Sequence, residues 1–440
     1  MKTYYSIVTI FLFILLTSGC TGEENPQQDE TKQKLVVSAD KNNIELGTSV
    51  TFEVKAEGVV IEDADIYVDG ERIEQYEHQF SKIGESEIIA KKTGFFDSDP
   101  LLVTINDKPI TVDIYVLGSA YHEQQDQSSP GYWKNGELQA QLQVPNYPGD
   151  LISSSFNGMT ISNDQVYITG STFLNGSDAV VFYWENNTYI PLTDRFGRPI
   201  VANSGNDIEV SNGTVYVAGT ENTAPNVNNA VYWKNGEAVY LTNQEAGDYF
   251  SAFASSIDVF GDEVHVAGNI AGSPSYWKGT ELTSLTGEGE TKSIFVDSNG
   301  DVYIAGFDYN GTRNIAKYWK NGQEFFLGSS DRNSEAHSIF VENGDVYVAG
   351  FENIERPSGN GRVTVARYWK NGTAIDLTDQ SNATHAYSIF VIEGNVFVAG
   401  TESRPNERLS AVYWHNGETI RLSDGSNRAT ANDIFVVKRR

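Results

Sequence analysis

The chain has 440 residues and a formal net charge of −28, from 59 Asp and Glu against 31 Lys and Arg. Such an acidic surface disfavours nucleic-acid backbones and anionic lipid surfaces, which call for a cationic face. A single cysteine excludes an internal disulfide, while 23 Tyr, 22 Phe and 40 Gly, with Asn-Gly and Asp-Gly pairs throughout, predict many short strands and tight turns.

Residues 1–19 have the pattern of a signal peptide: Lys2, an apolar run Ile7–Leu16 broken by Thr9, then Thr17, Ser18 and Gly19 before Cys20. The run is too short for the roughly 20 apolar residues of a spanning helix. Small residues ahead of Cys20 resemble the lipobox of bacterial lipoproteins, although Thr17 stands where an aliphatic residue is preferred and Leu16 lies one place early. The resemblance implies that Cys20 is diacylated and becomes the mature N-terminus, with the membrane as partner through its lipid. Residues 20–34, which carry TGEENPQQDETKQK after the cysteine, lack apolar content and predict a disordered tether. Fully extended, that peptide reaches roughly 45 Å. Glu23 and Glu24 resemble the surface-export signals of Bacteroidetes lipoproteins, which implies the cell envelope, at the outer membrane or cell surface if the organism is a diderm.

Between residues 35 and 108 the segments KLVVSA, SVTFEVKA, ADIYVDG, SEIIAKK and PLLVTI alternate as half-buried strands do. About seven strands are expected there, and the pattern resembles the immunoglobulin-like sandwiches that precede larger domains in bacterial surface proteins. A spacer role is the simpler expectation for it.

From residue 110 to 438 the chain repeats itself. A strand ending in glycine recurs at Gly118, Gly170, Gly219, Gly268, Gly306, Gly350 and Gly400, at intervals of 38 to 52 residues. Each is followed by a Tyr-Trp strand, then a short strand often reading LTD or LSD. A strand led by a small or polar residue comes next: MTIS at Met159, DIEV at Asp207, SIDV at Ser256, SIFV at Ser293, Ser338 and Ser388, and DIFV at Asp433. Four strands per unit, seven times over, predict an all-β seven-bladed propeller. The resemblance is to bacterial propellers with YWKNG-type repeats in lipoproteins. The order of landmarks predicts closure by pairing the last strand, Asp433–Val437, beside the first, Val112–Gly118, as the innermost strand of the first blade.

The pentapeptide YWKNG and its looser copies hold all seven tryptophans: Trp133, Trp184, Trp233, Trp277, Trp319, Trp369 and Trp414. Adjacent Tyr and Trp side chains point to opposite faces of a strand, so each pair can fill two interblade gaps. Asn-Gly supplies the positive φ angles of a two-residue hairpin. A structural role is therefore expected for the motif. Its hairpins all fall at one end of the blades, which leaves any ligand site to the variable loops at the other.

At that variable end, the residue entering each inner strand reads Met159, Asn206, Ser255, Lys292, His337, Tyr387 and Asn432. Two positions earlier lie Asn157, Ser204, Phe253, Glu290, Glu335, His385 and Thr430. Glu290, Lys292, Glu335, His337, His385 and Tyr387 are the candidate ligand-binding set, against the alternative that loop mouths simply drift. Arg356, Arg362 and Arg404 offer a second candidate, a patch for an anionic glycan or acidic partner, against the alternative of loop charge balanced by Glu352, Glu355 and Glu407. Asp194, Asp379 and Asp424 suggest Asx-turns rather than calcium ligands. No HExxH, GxSxG, P-loop or CxxC motif occurs, so no catalytic residue, metal or cofactor is expected. The leading expectation is a monomeric, non-enzymatic envelope lipoprotein whose propeller binds glycan or protein. The rivals are a polysaccharide hydrolase or lyase in the funnel, and an outer-membrane assembly scaffold by fold analogy alone.

Overall fold

The computed structural model describes residues 32–439 except 107–110, 123–126, 140–150, 175–178, 187, 195, 197–203, 225–226, 243–250, 357–358 and 360. The leader, Cys20 and most of the tether lie outside the described residues. The chain divides into two units, Met1–Pro109 and Ile110–Arg440.

In the first unit two sheets enclose one core. Val36–Ala39, Ser49–Ala56 and Val59–Val60 form one sheet, with Glu77–Gln79 paired to Ser49–Ala56. Asn43–Glu45, Leu101–Asn106, Gly84–Lys91, Asp65–Val68 and Glu71–Ile73 form the other in that order. Val50, Phe52 and Val54 from the first sheet meet Ile66, Ile88 and Val103 from the second. Among the described residues the strands number nine rather than about seven. The surplus strands are two or three residues long, too short to show alternation in the sequence.

The second unit is a β-propeller of seven four-stranded antiparallel sheets. The inner strands of blades 2 to 7 are Leu151–Ser162, Ser204–Ser211, Ala252–Phe260, Gly289–Val296, Ser334–Glu342 and Ala383–Ile392. Blade 1 takes its inner strand from the end of the chain: Ala429–Lys438 pairs with Val112–His122 from Val112↔Lys438 to Ala120↔Ala429. The expected closure is present.

Each interblade gap holds the Tyr of one blade and the Trp of the next. Tyr183 packs with Trp233, Tyr232 with Trp277, Tyr276 with Trp319, Tyr318 with Trp369 and Tyr368 with Trp414. Tyr132 with Trp184 and Tyr413 with Trp133 complete the circle. None of the seven indoles is more than 7% exposed. The rest of the pentapeptide works at the hairpin end. Asn135, Asn235, Asn321, Asn371 and Asn416 have φ between 49° and 53°, and the glycine after each is also positive. Their amide oxygens accept the N–H that opens the second strand, as Asn321 does from Val302 at 2.8 Å. Lys134, Lys320 and Lys370 each pair with an aspartate and lie about 5 Å over a tyrosine ring.

A belt of hydrogen bonds ties neighbouring inner strands together. The Ile257 amide donates to Asp207 at 3.0 Å, Ile294 to Ser256 at 3.1 Å and Ile339 to Ser293 at 3.3 Å. Ile389 donates to Ser338 at 3.1 Å, Ile434 to Ser388 at 3.3 Å and Met159 to Asp433 at 2.8 Å. The small polar leader of the SIFV segments is therefore an interblade clasp. One link is missing, because blade 2 has Gly158 at this position and Ile208 is capped by its own Asp207 instead.

Candidate functional site

Every inner strand carries a β-bulge at the same height. The register slips between Gly205 and Asp207, Ala254 and Ser256, Thr291 and Ser293, Ala336 and Ser338, and Ala386 and Ser388. It slips likewise between Phe156 and Gly158, and opposite Leu117 and Gly118 in blade 1. The extra residue in each case is Asn157, Asn206, Ser255, Lys292, His337, Tyr387 or Asn432. A bulge re-aims its side chain, and here all seven are brought to one mouth of the central channel, around a cavity of ≈ 120 Å³.

The bulge also explains the recurring glycine of each second strand, which runs on past that glycine rather than ending at it as the sequence suggested. It presses the carbonyl two residues ahead of the bulge's end against that strand, so a Cβ on Gly350 would meet the Glu335 oxygen at 1.9 Å and one on Gly400 the His385 oxygen at 2.0 Å.

This register corrects one sequence reading. Asn157, not Met159, is the blade 2 member of the mouth. Met159 is 4% exposed in the core between blades 1 and 2. Gly158 stands where other blades have Asp or Ser, which removes the marker that aligns them.

Four of the six candidate side chains form one cluster. The His337 ring lies edge-on to Tyr387 at 5.6 Å, and Tyr387 stacks on His385 at 6.1 Å. Phe351, which the sequence did not single out, joins them at 5.7 Å from His337 and 5.0 Å from His385. Glu335 sits 3.3 Å from His337 and accepts a 2.7 Å hydrogen bond from Asn314. Burial raises the Glu335 carboxyl, but His337 and Asn314 outweigh it and hold the group below its ordinary value. Burial lowers the His385 imidazole, and His337 lowers it further. The cluster therefore combines one carboxylate with an imidazole kept neutral at ordinary pH. Lys292 and Glu290 stand apart as an ion pair, with Lys292 5.4 Å over the Phe307 ring.

Beside the mouth a cavity of ≈ 420 Å³ extends between blades 4 and 5, sharing Asn206, Ser255 and Lys292 with the central one. Its wall includes Phe253, 40% exposed. Asn269 forms its floor, donating to the Gly289 carbonyl at 2.8 Å. Asn157 and Asn206 each donate to the carbonyl of the next blade at 2.7 Å, which leaves their amide oxygens as acceptors at the mouth.

The arginine candidates are distributed differently. Arg362 pairs with Glu355 at 3.5 Å, Arg404 with Glu402 at 2.9 Å, and Arg356 donates to the Ser381 carbonyl at 3.2 Å. Arg367, in the strand Arg362–Lys370, is buried between Glu352 and Asp376. Asp194, Asp379 and Asp424 accept amide hydrogens two residues on, as Asx-turns do. Among the described residues no group of three His, Cys, Asp or Glu side chains converges as metal ligands would.

No family model and no curated protein matches the chain. Among solved structures it is similar to the periplasmic gluconolactonase of Pseudomonas aeruginosa, at 9% identity over 74% of this chain and 99% of that one, with a TM-score of 0.42. It is similar to an auxiliary nutrient binding protein from Bacteroides thetaiotaomicron, at 11% identity over 84% and 95% of the two chains, TM-score 0.32. The Aleuria aurantia lectin is a third, at 9% identity over 63% and 98%, TM-score 0.33.

Proposed function

We propose that the bulge-lined mouth binds the sugar units of a glycan, on a protein held at the cell envelope by an acylated Cys20. The observation that supports this reading is the convergence of seven bulge residues of five chemical types, Asn, Ser, Lys, His and Tyr, on a single mouth. The fold holds their backbones fixed while leaving their side chains free to differ, as a recognition ring requires. Amide oxygens of Asn157 and Asn206, the Ser255 and Tyr387 hydroxyls and the Lys292 ammonium can meet a polyhydroxylated ligand. Phe253 offers an apolar face beside them. The immunoglobulin-like sandwich of residues 35–108 serves as the spacer, and residues 20–34 as the tether.

A glycan array with the chain from Leu35 onward tests the reading. A Tyr387→Phe, Lys292→Ala or Phe253→Ala change is expected to weaken the best ligand about 10-fold, or about 1.4 kcal/mol. Reversing Arg356, Arg362 and Arg404 to Glu should leave binding intact. Binding lost in the arginine variant alone would move the site to those loops. Cleavage of the bound glycan, abolished by His337→Ala, would replace the binding reading with a catalytic one.

A further inference from the structure

The opposite mouth of the channel has a second composition. One ring of inner-strand positions faces Tyr167, Tyr216, His265, Tyr303, Tyr347, Phe397 and Tyr115 across the pairing register. Its members are Thr160, Glu209, Asp258, Phe295, Phe340, Phe390 and Phe435. The four phenylalanines are consecutive around the circle, with ring centroids 4.8, 4.8 and 4.9 Å apart across three blade gaps. They are half-buried. Three of them line a cavity of ≈ 610 Å³ at the hairpin end, with Asp297 and Glu342 also on its wall.

The remaining arc is acidic. Thr160 hydrogen-bonds to Glu209, and Asp258 accepts the amide hydrogen of Val296, the residue after Phe295, at 2.6 Å. Among the described residues no Lys or Arg forms an ion pair with Glu209, Asp258, Asp297 or Glu342. Lys438, on the same end, is engaged by Glu393. Two carboxylates without a cation, Asp297 and Glu342, held by the backbone amides of Asn299, Asp301, Glu393 and Gly394, thus stand on the wall of a cavity lined by three phenylalanines.

We propose that this hairpin-side mouth is a second binding site, taking a hydrophobic organic cation such as a quaternary or aryl ammonium. The faces of phenylalanine rings carry the negative end of their quadrupole and attract a weakly hydrated cation. Asp297 and Glu342 on the cavity wall supply the charge that such a ligand neutralises, and the cavity receives its apolar body. A strongly hydrated inorganic cation gains nothing from the phenylalanine arc, and an anion meets two carboxylates.

Calorimetric titration of the chain from Leu35 onward with benzyltrimethylammonium, choline and choline's neutral carbon isostere, dimethylbutanol, tests this. Both cations should bind saturably, and the neutral isostere at least about 10-fold more weakly. Phe340→Leu and Glu342→Gln, checked for unchanged melting cooperativity, should each weaken the cations several-fold, while His337→Ala at the other mouth leaves them unchanged. No saturable binding of either cation to the unaltered protein overturns the proposal, as does equal binding of the neutral isostere. Loss of binding in His337→Ala but not in Phe340→Leu would also overturn it, without bearing on the glycan reading.

Discussion

The Asp433 carboxylate accepts the Met159 amide hydrogen at 2.8 Å, joining the chain's final strand to the second blade across 274 residues of sequence. The same carboxylate accepts the Ser388 hydroxyl at 2.7 Å, so one side chain bridges blades 7, 1 and 2. Asp433→Ala removes both clasps and leaves a buried amide without a partner. The expected cost is about 1–3 kcal/mol, read from the urea midpoint.

The channel acids make stability depend on pH. Burial, with Asp258 and Asp207 adding to it, raises Glu209 to about 8, and burial raises Asp258 to about 6. A carboxyl group whose folded value lies above its unfolded one contributes stability below the unfolded value, near pH 4.5 for Glu209. That contribution is lost as pH rises through the folded value. Glu209→Gln should therefore flatten the decline in melting temperature between pH 5 and 8. It should gain about 1–3 kcal/mol over the parent at pH 9. Melting curves across that range check both the sign and the window.

Two glycines in blade 6 separate steric from torsional demands. Gly344 sits in a hairpin at φ +85° with nothing within 4 Å of an added Cβ, whereas a Cβ on Gly350 would meet the Glu335 oxygen at 1.9 Å. Gly344→Ala should cost about 1–2 kcal/mol. Gly350→Ala should cost about 2–3 kcal/mol and displace the bulge that carries His337. Denaturant unfolding measures the first difference, and the His337 imidazole resonances report the second.

Much of this architecture is legible in the sequence because a blade is built from local hairpins. Asn-Gly, the paired aromatics and the recurring glycines of the second strands each record a short-range requirement, and closure follows from their order. The bulges leave no comparable mark. Asn157, Lys292 and Tyr387 share a backbone conformation and nothing in side-chain type, so where Gly158 replaces the usual Asp or Ser the register slips to Met159. Phe351 was hidden for another reason. It lies on a second strand whose pattern matches its neighbours, and only the fold brings it to His337 and His385. The phenylalanine arc was visible as the third letter of SIFV, but four such residues count as core until their neighbours in the ring are seen to be Thr160, Glu209 and Asp258.

Lys317 is a buried cation held at three points. Its ammonium is 3.0 Å from Asp308, 3.1 Å from Glu324 and 3.1 Å from the Thr286 carbonyl, and it lies 4.5 Å over the Trp319 ring. Lys317→Ala strands two partly solvated carboxylates beside a new cavity, with an expected loss of about 2–4 kcal/mol. Lys317→Met keeps the packing and should lose less. Chemical denaturation of the two variants resolves charge from volume.

The hoop of inner-strand clasps is fastened at six points out of seven. Gly158 has no side chain to hold the Ile208 amide, and a Cβ there would approach the Asp207 Cα to 2.8 Å, so no other residue fits without moving the neighbouring strand. The chain ends of the propeller meet in blade 1, whereas the joint without an amide clasp lies between blades 2 and 3, where Asn157 holds the Gly205 carbonyl instead. Amide exchange at Ile208 ahead of its counterparts Ile257, Ile294 and Ile339 would record the missing interblade hydrogen bond.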